Sequence, residues 1–124
     1  MSSIPRRIAE AFSGHRFAEA YGALADDVRW DLVGEDTLVG RQAVVDACEA
    51  TRAELGDGST EFLRFVVVAD GDRVAVDAVA RYTAADGGSG VVSSCDLYEF
   101  RDDRLTTIRS YAVELDPALG TREA

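Results

Sequence analysis

Basic side chains are scarce in this chain: 13 Lys and Arg stand against 23 Asp and Glu, for a net charge of −10. Such a surface repels phosphate backbones and anionic headgroups, so nucleic acid and membrane surfaces are excluded as expected partners. Histidine is nearly missing. The one imidazole, His15, falls in a polar break between two helical patterns, where a solvated linker is expected, and no Ser-His hydrolase triad can be assembled. Cysteine is limited to Cys48 and Cys95, at no metal-ligating spacing, which excludes a zinc site and leaves two reduced, hydrophobe-like thiols as the expectation. No apolar run is long enough to span a bilayer, and the start, Met1 to Arg7, has no signal core. A soluble cytoplasmic protein is expected, with no metal or organic cofactor implied.

What is present is an ordinary globular mixture, 47% apolar and 29% charged over 124 residues, which suits one domain. Residues 1–115 are expected to form it, and residues 116–124, with Pro117 and Gly120 and little to bury, a flexible tail. Ser2 or Ser3 can cap a first helix that has Pro5 in its first turn and Ile8, Ala9 and Phe12 on one face, until Gly14 interrupts. Phe17, Tyr21 and Leu24 fall at helical spacing and predict a second short helix ending near Asp26 and Asp27. Val28 to Leu32 alternates as a strand, and Val33 to Gly40 reads as a loop. Arg41 to Leu55 predicts a third helix stopped at Gly56.

From there the period is two: Thr60 to Ala69, a turn at Asp70-Gly71-Asp72, Arg73 to Ala84, a glycine-rich loop, then a hairpin of Val91 to Phe100 and Leu105 to Leu115. No successive pair needs a long crossover, so an antiparallel sheet is expected. The predicted architecture is an α+β, cone-shaped roll: three N-terminal helices packed on a curved, mostly antiparallel sheet.

Asp96 is the clearest chemical signal. A carboxyl among apolar and aromatic neighbours is paired, protonated or used, because desolvation disfavours its charge. If it faces inward, Val92, Ser94, Tyr98 and Phe100 share its side, and on the last strand Ile108, Ser110, Ala112 and Glu114 do the same, Glu114 at the rim. Ser110 reads as a small filler, and Asp31 and Arg29 as an exposed pair. The opposite face, with Val79, Cys95, Leu97, Tyr111 and Val113, is more apolar than a solvated sheet, and a second copy of the chain is its expected cover.

Three stretches together, Tyr21 to Trp30, Gly40 to Val44, and Asp96 to Asp102 followed by Leu105 to Tyr111, resemble the nuclear transport factor 2-like superfamily. Within it the chain is similar to SnoaL-like and ketosteroid isomerase-like proteins, from Ile4 to Leu115. The resemblance implies an apolar pocket between helices and concave sheet, with a few polar groups at its base. Asp96 matches the protonated aspartate that donates a hydrogen bond to an oxyanion in the isomerases. Their general-base position reads Leu32, with Asp31 one residue away, and their tyrosine position reads Ile8. The water-activating positions of the epoxide hydrolase branch read Ala78, Ala80 and Ser110, so epoxide hydrolysis is rejected.

The expected ligand is a small hydrophobic carbonyl compound, polyketide- or steroid-like. Asp96 and Asp31 are the candidate acid/base groups, and Ile8, Phe12, Phe17, Tyr21, Trp30, Leu32, Ser94, Tyr98, Phe100 and Ser110 the candidate pocket wall. Two other outcomes stay open: a binding domain without catalysis, and a dimerisation scaffold whose aromatics fill the cone.

Overall fold

A computed structural model describes residues 4–116. The expected caps Ser2 and Ser3, and all of the expected tail but Asp116, lie outside the described residues. The chain runs helix α1 (Ile4–Ser13), two short 3-10 turns (Phe17–Glu19 and Tyr21–Ala23), strands β1 (Leu24–Leu32) and β2 (Asp36–Val39), and helix α2 (Arg41–Leu55). Strands β3 (Ser59–Asp70), β4 (Arg73–Thr83), β5 (Ser89–Arg101) and β6 (Arg104–Leu115) follow. Three helical segments therefore pack on one curved sheet, as the α+β roll requires.

Local chemistry places the breaks. Gly56 ends α2 at a positive φ of 52°, which a side chain with a Cβ adopts only at a cost. The β5–β6 reversal puts Asp102 and Asp103 at φ 51° and 63°, the doubly positive turn whose twist suits a two-residue hairpin and which aspartate tolerates.

Four expectations are corrected. The second helix is two successive 3-10 turns, and β1 begins at Leu24 rather than Val28. The stretch Val33 to Gly40 is not all loop: Asp36–Val39 pairs with β1 as strand β2. The sheet is mixed, with order β2-β1-β6-β5-β4-β3, because β1 and β6 lie parallel. Hairpins join β3 through β6, but β1 is reached from β6 only by long-range pairing, which adjacent connections do not reveal.

The core lies between the helices and the concave face. Ala9 and Phe12 of α1, Val44 and Cys48 of α2, and Leu24, Val28, Val74, Val76, Tyr98, Leu105 and Ile108 of the sheet are buried together. Phe12 is the hub, edge-on to Phe17, Trp30 and Tyr98 at centroid distances of 5.3, 5.0 and 6.1 Å.

Candidate functional site

The β5–β6 register sets Asp96 opposite Ser110 and Tyr98 opposite Ile108. Alternation then turns Asp96, Tyr98 and Ser110 toward the helices, and α1 answers with Ser13 in its last turn. Asp96 is half-buried, but both its oxygens are taken: Ser13 Oγ donates to Oδ2 and Ser110 Oγ to Oδ1, each at 2.7 Å. Behind each serine stands an aromatic. Trp30 Nε1 donates to Ser110 Oγ at 2.9 Å, and the Tyr98 hydroxyl lies 2.5 Å from Ser13 Oγ.

Proton counting fixes how this chain can work. Trp30 has only an N–H to give, so Ser110 accepts there and keeps its own proton for Asp96. Ser13 also has one proton. With Asp96 ionised, Ser13 spends that proton on Oδ2 and receives one from Tyr98; with Oδ2 protonated, both bonds reverse and Ser13 donates to Tyr98. Asp96, Ser13 and Tyr98 thus form a hydrogen-bond chain whose direction follows the protonation of Asp96.

Burial pushes the Asp96 carboxyl above its ordinary value of 3.8, and the bonds from Ser110 and Ser13 and the field of His15 pull it part of the way back. Burial also drives the Tyr98 phenol well above 10.0, reinforced by the Asp96 charge. A carboxyl so placed holds its proton more readily than a solvated one, which suits hydrogen-bond donation or proton transfer.

Asp31 does not join it. It points to the opposite sheet face, where Arg109 Nη1 donates to Oδ2 at 3.1 Å and Thr37 Oγ1 to Oδ1 at 3.3 Å. Its ion partner is Arg109, not Arg29. Period two explains this outcome: with Trp30 turned inward, its neighbour in β1 must turn out. Ser110 is more than a filler, since it couples Trp30 to Asp96. Ser94 shares the Asp96 face but gives the carboxylate no hydrogen bond, and Tyr98 reaches it only through Ser13. Ala112 and Glu114 are exposed beyond the helices.

Of the other wall candidates, Phe12, Phe17, Tyr98 and Phe100 are core residues, while Ile8, Tyr21 and Trp30 pack at its edge. Leu32 is half-buried at the end of β1. Tyr21 directs its hydroxyl away, donating to Glu49 Oε2 at 2.6 Å.

The larger surprise is His15. Far from a solvated linker, its ring lies nearly parallel to Phe17 and to Tyr82, at centroid distances of 5.1 and 5.6 Å, and edge-on to Phe62 at 5.9 Å. Burial holds the imidazole below its usual 6.5, against the pull of Asp96. His15 lines two adjoining cavities at the open end of the cone, of about 460 Å³ and 300 Å³, and shares both with Thr51 and Leu55. Asp96 lines neither. Tyr82 joins His15 on the wall of the smaller of the two. Sequence reading gave His15 a linker role and did not single out Tyr82; the signal available was a lone imidazole two residues before Phe17.

Similar folds occur in solved structures. An NTF2-like protein from Cytophaga hutchinsonii is 27% identical, with a TM-score of 0.78 over 91% of this chain and 99% of its own. A candidate SnoaL-like polyketide cyclase from Mesorhizobium loti is 20% identical, with a TM-score of 0.67 over 90% and 99%. An LEH-like epoxide hydrolase from M. tuberculosis is 21% identical, with a TM-score of 0.69 over 98% and 92%; at that identity the likeness concerns fold alone. No curated protein matches the chain. The SnoaL-like domain family profile matches residues 6–108, from within α1 to within β6, and the chain belongs to the SnoaL-like domain family.

Proposed function

We propose that the protein binds a small hydrophobic carbonyl compound, polyketide- or steroid-like, and that Asp96 assists its isomerisation or cyclisation through an enol, without a cofactor. The observation that carries this reading is the desolvated carboxyl with one serine on each oxygen and a hydrogen-bond chain through Ser13 to Tyr98. In an isomerisation, a proton leaves the carbon next to the carbonyl for a base, the enol oxygen is held by a hydrogen bond, and a proton returns at the remote carbon. Asp96 can serve as the carrier, with the serines stabilising its ionised form between the two transfers.

The test is turnover of a β,γ-unsaturated cyclic ketone, followed by absorbance as conjugation develops. Asp96→Asn keeps the shape and removes the titrating proton, so the rate is expected to fall roughly 10²- to 10⁴-fold. Unchanged turnover in that variant would end the acid/base role.

One observation favours a non-catalytic binder instead: the two cavities stop short of Asp96. Saturable binding of the ketone with no turnover in the wild-type chain would decide for it.

The same proposal places the protein in the cytoplasm as a homodimer joined through the convex sheet face. Its support is exposed Val66, Val68, Leu97, Tyr111 and Val113 on strands that also carry the Arg64–Asp77 and Arg109–Asp31 ion pairs. Among the described residues no helix is long and apolar enough to cross a membrane. Light scattering that gives a strict monomer at micromolar concentration would refute the dimer.

A further inference from the structure

The end of α1 is built in an uneconomical way. Arg16 N–H donates to Ala11 O at 2.8 Å and His15 N–H to Phe12 O at 3.1 Å, the paired bonds of a helix end whose penultimate position takes the left-handed conformation and usually holds glycine. Here the residue in that conformation is His15, at φ 65°. A glycine stands one position earlier, at Gly14, because a Cβ there would meet Glu10 O at 2.8 Å. A non-glycine residue in this region costs roughly 1 kcal/mol or more and persists where its surroundings hold it. What the conformation achieves is aim: the imidazole is set beside Phe17 and Tyr82 at the cone mouth.

With aromatic rings against its faces, His15 offers its edge. Nε2 lies 3.4 Å from the Tyr82 hydroxyl, a long contact that leaves both groups able to take a better partner, and Nδ1 has no hydrogen-bond partner among the described residues. Next to Tyr82 the register places Thr60, whose Oγ1 is buried and makes no hydrogen bond among the described residues. Thr60 lies two residues before Phe62, which touches His15, so alternation turns its hydroxyl to the same side. Buried hydroxyls without partners are uncommon. His15 and Tyr82 therefore meet on the wall of the smaller cavity, with Thr60 beside Tyr82 on the same sheet face, and Phe17, Leu55 and Ala53 are among the other cavity walls.

We infer that His15, Tyr82 and Thr60 form a second polar subsite, at the cone mouth, which takes a neutral oxygen function, hydroxyl or carbonyl, on one end of a flat apolar ring ligand. The inference rests on the ligand-binding part of the proposed function and adds where the ligand's far end is held. Charge selects against an anion. Glu49 and Glu54 line the cavities, the one lining cation, Arg52, is already paired with Glu49 at 3.2 Å, and the chain is strongly acidic overall.

The test compares three probes of one ring size, naphthalene, 2-naphthol and 2-naphthoate, titrated into the full chain by calorimetry and by proton NMR of its single histidine. We expect 2-naphthol to bind about five-fold tighter than naphthalene, the value of one net hydrogen bond, to move the His15 ring resonances saturably, and to outbind 2-naphthoate. His15→Gly accepts the left-handed backbone without strain and folds; in it, and in Tyr82→Phe, the preference for the hydroxyl falls toward one. Asp96→Asn keeps the preference. Equal affinities, preference for the anion, preference surviving His15→Gly, or no saturable movement of the His15 resonances would each overturn the subsite. Preference lost only in Asp96→Asn would also overturn it, while leaving the Asp96 proposal standing.

Discussion

Ser13→Ala is the substitution whose cost follows most directly from the hydrogen-bond chain. The hydroxyl donates to Asp96 Oδ2 at 2.7 Å and is the partner of the Tyr98 hydroxyl. Losing a bond to a carboxylate costs about 1.5–3 kcal/mol, and leaving a buried hydroxyl unpaired about 1–3 kcal/mol. Tyr98 is 1% exposed, so water cannot replace Ser13 without repacking the core. Alanine is the better helix former, which returns up to about 0.5 kcal/mol. The net expectation is a loss of about 2–6 kcal/mol in urea unfolding at pH 7, read by far-ultraviolet circular dichroism.

A double-mutant cycle isolates the Tyr98 share. In a Tyr98→Phe background no phenol is orphaned, so Ser13→Ala should cost about 1–3 kcal/mol less than in the wild type. Additivity within about 0.5 kcal/mol, or a single-variant cost below about 1 kcal/mol, refutes the hydrogen-bond chain.

Two further outcomes are expected. The single histidine should titrate below 6.5 by proton NMR; because its folded value is depressed, His15 contributes stability above the unfolded value that is lost as pH falls through the folded one, and a midpoint at or above 6.5 contradicts its burial. Cys48 is fully buried, and burial pushes its thiol up to about 12, so a thiol reagent at neutral pH should spare it in the native state, label Cys95 at most, and count two thiols on unfolding; rapid native labelling of Cys48 contradicts the packing.

Much of the architecture was legible because period and punctuation agree. Val44, Ala47, Cys48, Thr51 and Leu55 mark α2 on one face, and Gly56 ends it where expected; Gly71 and the Asp102–Asp103 pair mark the hairpins. The parallel β1–β6 contact was hidden because it joins the two ends of the chain, and local patterns carry no information about such pairing. At the site, alternation put Asp96, Tyr98 and Ser110 on one face once that face was chosen, while the register that sets Asp96 opposite Ser110 came only from the structure. Ser13 escaped notice because a serine in the last turn of a helix looks like a polar surface residue, and its role comes from Tyr98 and Asp96, more than 80 positions away. His15 escaped for a related reason: the Gly14-His15 pair reads as a break, whereas the fold uses the histidine itself as the left-handed residue. Asp31 was drawn in by its nearness to Leu32, and the two-residue period of β1 turned it out.

The central claim is that Asp96 is a desolvated carboxyl, held by two serines, that binds its proton more tightly than a solvated one. Its folded value lies above 3.8, so the folded chain binds this proton more tightly than the unfolded one; the group favours folding most below 3.8, and that contribution declines as pH rises through the folded midpoint. The most direct measurement is a carboxyl-carbon NMR titration of Asp96 in the wild type and in Ser110→Ala. The predicted result is a midpoint above 3.8 in the wild type that moves higher when the Ser110 donor is removed; a midpoint at or below 3.8, or one indifferent to Ser110, would contradict it.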